Sequence, residues 1–239
     1  MKIDKEKYVW IEYIFDFDEP KIDKKFMVLL DKKTIIAVPP ENSGENGEFE
    51  NWTELDFHKC EICPLSKDKT KYCPIAYNIS GLAKEFSEIY SIEQVNITVN
   101  TEERTYYKRD SVQQGLRSIL GIYLATSGCP HMEILKPMAR FHLPFASMEE
   151  TIYRQISNYL LSQYFEFIDG KIPDLVLKEF EKKNELVNMV NQGICNRIDY
   201  VTEADANKNA LIILNAVNLM LNIELQTKLD SLKYLFKSS

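Results

Sequence analysis

The sequence predicts an α+β protein: a small antiparallel N-terminal sheet with hairpins, a cysteine-rich metal segment, and a C-terminal helical bundle. Three observations carry this expectation. Short runs rich in Val, Ile, Tyr and Phe, broken by turn residues, fill the first hundred positions. Cysteines gather between Cys60 and Cys73. From Asp110 onward, apolar residues recur at steps of three and four behind repeated capping signals.

Each element can be justified in order. Tyr8 to Phe17 predicts a first strand, ended by Glu19-Pro20. Lys25 to Leu30 and Thr34 to Val38, separated by Asp31-Lys32-Lys33, predict a hairpin that Pro39-Pro40 stops. Glu41 to Glu50 has no apolar period and reads as a linker. Trp52 to Phe57 predicts another short strand. A helix is expected from Pro74 to about Tyr90, with Ile75, Ile79, Leu82, Ala83 and Phe86 on one face. Ile92 to Val99 and Arg104 to Lys108 predict a second hairpin around Asn100 to Glu103.

Asp110 with Gln113 predicts the start of a helix running to about Thr126, with Gly128 as its stop. Cys129 to Pro144 carries three prolines and predicts a compact loop with a helical turn. Ser147 with Glu150 forms a capping box for a helix to about Phe167. Gly170 and Pro173 separate it from a helix ending near Arg197, in which Cys195 reads as core. Thr202 with Asp205 opens the last helix, whose stripe runs Leu211, Leu214, Val217, Leu221, Leu225, Leu229, Leu232, Phe236. The stripe reads as core-facing, and the alternative is a homodimer seam through the 211–236 helix. The chain divides into a β region (1–57), a cysteine segment with helix and hairpin (58–109) and a helical bundle (110–239).

Composition narrows the class. The chain has 239 residues, 45% of them hydrophobic, and a net charge of −7. That charge disfavours nonspecific binding to nucleic acid, and no Lys/Arg block overrides it. No apolar run approaches the ~20 residues of a membrane helix, so no membrane partner is expected. The N-terminus has no apolar signal core, so a cytoplasmic protein with reduced thiols is expected.

Clustered cysteines in that setting point to metal. Cys60-Glu-Ile-Cys63 is a knuckle that lets two thiolates reach one ion from a tight turn, and Cys73 adds a third ligand. The fourth ligand is Cys129, His131 or His58. Cys63, Cys73 and Cys129 each precede a proline. Proline favours the first helical position, which puts the cysteine at the N-cap, where backbone N–H groups and the helix dipole lower its pKa. Zinc is the default metal. An iron–sulfur cluster also takes four thiolates, and Cys-Pro-His invites a haem-ligand reading.

The loop that follows combines Glu133, Lys136, Arg140 and His142 between prolines. It reads either as an anion-binding or acid–base site, with Lys136, Arg140 and His142 as binding residues, or as a rigid connector. No nucleophile–base–orienter set is legible. Base deamination needs His-x-Glu ahead of Pro-Cys-x-x-Cys, and here His131-Met-Glu133 follows the knuckle. Phosphate loops and dinucleotide fingerprints are absent from the sequence.

Cys63-Pro-Leu65, Tyr72-Cys-Pro-Ile-Ala76, Thr101 to Thr105, Ser127-Gly-Cys-Pro-His-Met132 and Leu135-Lys-Pro-Met-Ala-Arg-Phe-His-Leu-Pro-Phe145 together resemble an uncharacterised family of bacterial proteins. The resemblance covers Cys60 to Phe165. It implies a bacterial cytosolic protein and brings no activity. The expectation from the residues is a metal-stabilised binding or regulatory module. Two alternatives stand: a metalloenzyme with an open position near His131 and His142, and a redox or haem sensor.

Overall fold

The computed structural model describes residues 4–18, 22–39, 50–200 and 204–236, without the side chains at 22, 217, 218 and 220–224. The α+β expectation holds. Strands β1 (Tyr8–Phe17), β2 (Ile22–Asp31), β3 (Gln94–Thr101) and β4 (Thr105–Ser111) form one antiparallel sheet in the order β2-β1-β3-β4. The helices are α1 (Pro74–Glu85), α2 (Val112–Ala125), α3 (Lys136–Arg140), α4 (Met148–Ile168), α5 (Lys178–Ile198) and α6 (Ala206–Leu232).

β1 buries alternate residues, Val9, Ile11, Tyr13, Phe15 and Phe17, as the period-two pattern requires. β3 adds Val95, Ile97 and Val99 to the same core. Helix α2 lies close to this face because Gly115 has no side chain: an added Cβ would collide with the Phe15 ring and come within 2.8 Å of Ile97 Cδ1. Phe86, just after α1, packs edge-on against Phe15 at 5.0 Å between ring centres. A second apolar cluster joins α4, the start of α5 and the end of α6 through Ile152, Ile156, Phe180, Leu225 and Leu232.

Several expected elements shift. Thr34–Val38 is not a strand. Asp31 instead folds the chain back: its carboxylate accepts from the Lys33 and Thr34 N–H groups, and Ile35 N–H donates to its carbonyl. Ile35 then takes φ +54, leaving only the bridge Leu30–Ala37. The first hairpin is therefore β1–β2. Trp52–Phe57 becomes a short 3₁₀ turn, Asn51–Thr53, and a bridge from Glu54 to Tyr72. Helix α1 stops at Glu85. Helix α2 takes Ser111, not Asp110, as its N-cap.

The capping box is present in full: Ser147 Oγ accepts from Glu150 N–H, and the Glu150 carboxylate accepts from Ser147 N–H. The 41–49 part of the linker and Thr202 lie outside the described residues. Along α6, Leu211 lies in the main core and Leu225 and Leu232 in the second cluster, whereas Phe236 is exposed. Cys195 is buried in α5.

Candidate functional site

The segment leading into the knuckle is pinned by backbone. Leu55 N–H donates to Lys71 O at 2.9 Å and Cys73 N–H to Thr53 O at 2.8 Å, which folds Cys73 back beside the chain preceding Cys60. Cys63 N–H donates to Cys60 O at 2.9 Å and closes the knuckle turn. Cys73 is the N-cap of α1, with Pro74 at the first helical position. Cys129 likewise caps the 3₁₀ helix Pro130–Leu135. Cys63-Pro64 caps no helix and lies in irregular chain, contrary to the expectation for all three dipeptides.

The distant cysteine joins the other three. Cys60, Cys63, Cys73 and Cys129 are close enough for charge on one to raise the pKa of another. His131 Nε2–H donates to Ile62 O, inside the knuckle, at 2.9 Å. That bond ties the two halves of the set and occupies one His131 ring nitrogen. His58 sits at φ +41, with its ring against Phe57 and Tyr200 at 4.7 and 4.5 Å, so it packs as an aromatic.

At Cys129 the expected lowering of the thiol pKa is reversed. Neither cap sulfur makes a capping hydrogen bond of full geometry. Burial pushes Cys129 up to about 11, with the three other thiols adding to it and the His131 N–H opposing. Burial and Cys73 likewise raise Cys60, against Arg197. Among the described residues, no three His, Cys, Asp or Glu side chains form a group that could hold one metal ion. The four thiols are electrostatic neighbours that do not close on a single point.

Helix α5 covers the set. Gly193 faces Cys60, and an added Cβ there would collide with the sulfur. One turn on, Arg197 is 1% exposed. Its guanidinium donates to the carbonyls of Trp52, Glu54 and Leu55 at 2.7, 2.7 and 2.9 Å. Its Nε has no partner, and among the described residues no carboxylate pairs with it. A buried cation needs a counter-charge, and Cys60 lies within its field.

The 131–145 loop sorts into separate environments. Lys136 pairs with Glu133 at 2.9 Å on the surface. Arg140 covers the Phe141 ring and, with His142, lines a shallow cleft against β1 and the β3–β4 turn. His142 Nε2 and Ser118 Oγ both bond the Tyr13 hydroxyl, which is fully buried on β1. Burial, then the nearby Arg154, pushes His142 down to about 3, so the ring is neutral.

Sequence reasoning left Arg197, Gly193, Tyr13, Ser118, Arg117 and Asn191 unassigned. Arg197 had a signal: it continues the apolar steps Val190, Ile194 of α5, where a cation is out of place. Arg154, expected on a solvated face, turns inward and donates to the carbonyls of Met138 and Phe141.

Among the described residues, no helix is long and apolar enough to cross a membrane. Comparison with curated proteins and with solved structures matches nothing. A family model described as a domain of unknown function, DUF6901, matches residues 11–237, so the chain belongs to that family.

Proposed function

We propose that this protein is a metal-stabilised binding module in which the thiolates of Cys60, Cys63, Cys73 and Cys129 hold the metal centre and clasp the two halves of the chain. The observation that supports it most is Arg197: a buried guanidinium with no carboxylate partner beside Cys60. Four metal-bound thiolates carry the negative charge that this cation lacks. Gly193 supports the same reading, because it lets the α5 backbone press against the Cys60 sulfur.

The donor set suits two centres. Four thiolates bind a structural zinc or a cubane iron–sulfur cluster. Zinc is the simpler of the two, because the tight Cys-x2-Cys-x2-Cys run of a cluster-binding segment is absent. The centre would supply rigidity and, as a cluster, one-electron redox sensitivity. The working compartment would be the cytoplasm of a bacterium, where thiols stay reduced.

Metal analysis with an absorption spectrum of protein purified without oxygen tests this. A colourless protein with stoichiometric zinc is expected, and Cys129→Ser should lose the metal. A brown protein with matching iron and acid-labile sulfide would keep the clasp and make the centre a cluster. Protein that takes up neither metal, with all four thiols freely titratable, would overturn the reading.

A further inference from the structure

A second site lies apart from the cysteines. Helices α2, α4 and α5, with the loop after α3, line a half-open cavity of about 120 Å³. Its walls are mostly apolar and include Ile122, Leu135, Met138, Phe145 and Leu214. Two arginines line it, Arg117 and Arg154. Both are partly buried, and among the described residues neither has a carboxylate within ion-pair distance. Arg117 donates only to Ala146 O, at 3.1 Å, and Arg154 only to Met138 O and Phe141 O. Burial lowers the pKa of both, opposed from beyond ion-pair distance by Asp110 at Arg117 and by Glu150 at Arg154.

Asn191, 1% exposed, lines the same cavity. Its amide N–H donates to Asn215 Oδ1 at 3.2 Å, and its Oδ1 has no partner. An orphaned buried acceptor costs free energy that a ligand donor would recover. His142, which also lines the cavity, adds no charge of its own.

We propose that this cavity binds a small hydroxy carboxylic acid: its carboxylate between Arg117 and Arg154, its hydroxyl donating to Asn191, and its short aliphatic body against the apolar wall. Guanidinium forks match carboxylate geometry. A cavity of about 150 Å³ holds a benzene ring, so this one suits an aliphatic body of about four to six carbons. The site is independent of the metal centre.

The first measurement needs no variant. Titrate the purified protein, as isolated, with 2-hydroxyisocaproate, its primary amide, and inorganic phosphate. Calorimetry and the Asn191 side-chain amide resonance give the readouts. The acid should bind and shift that resonance, the amide should bind at least about tenfold more weakly, and phosphate should do neither. Arg117→Gln, checked for retained fold by circular dichroism, should weaken the acid by about tenfold or more. No binding of the acid, equal binding of acid and amide, or phosphate competing for the site would overturn the proposal.

Discussion

His142 shows how one residue can carry a pH dependence that its neighbours dictate. Its ring faces the hydroxyls of Tyr13 and Ser118 and the Arg154 cation, and among the described residues no carboxylate bonds to it. Folding therefore holds its pKa near 3, below its ordinary 6.5. Between those values the unfolded chain binds the extra proton, so stability is complete above pH 6.5 and falls as pH drops through the window. Each pH unit costs up to about 1.4 kcal/mol. Urea unfolding at pH 6.5 and pH 5 should differ by up to about 2 kcal/mol, and His142→Gln should flatten most of that slope. An unchanged slope in the variant would assign the effect elsewhere. The sequence marked His142 as a binding residue, but its partners are 24 and 129 positions away, so its chemistry was not legible there. Arg197 repeats the lesson: the apolar period marks the residue as misplaced, and only the fold shows which carbonyls receive it.

At the scale of elements, legibility followed how local the determining interaction is. The α4 start came out to the residue because Ser147 and Glu150 satisfy each other across three positions. β1 came out as exactly Tyr8–Phe17 because its period is unbroken. The Thr34–Val38 strand failed because one carboxylate, Asp31, offered the backbone a turn in place of a ladder. The approach of α5 to the cysteines was invisible, since a helical glycine carries no sign of what it faces. It is nonetheless the contact most open to test. Gly193→Ala improves helix propensity by about 1 kcal/mol, so an isolated helix would gain. Here the added methyl meets the Cys60 sulfur. The variant should instead lose about 1–3 kcal/mol, as overpacked cores do, and purify with less metal. A more stable variant with full metal content would place Cys60 elsewhere.

The whole molecule divides unevenly with respect to the proposed metal centre. The sheet and the packing of α2 rest on strand ladders and on Tyr13, Phe15, Ile97 and Leu116, in one core whose edge includes the buried Cys73 and Cys129. The knuckle has less to hold it: Cys60, Ile62 and Cys63 are only half-buried, and His131 reaches them through a single bond to Ile62 O. Metal binding is folding energy where the ligands are otherwise loosely tied. Removing the metal should therefore loosen the clasp and spare the sheet. Hydrogen exchange on metal-loaded and stripped protein measures this directly. Amides of 58–66 and 127–136 should lose about tenfold or more in protection, equivalent to about 1.4 kcal/mol or more, while β1 and β3 amides change little. The thermal transition should also move down, because a ligand bound only to the native state adds its binding free energy to stability. Uniform loss of protection would make the centre part of the global core. No change at 58–66 would mean that the backbone bonds of Cys73 and Cys63 suffice, and that the four thiols meet for redox chemistry or not at all.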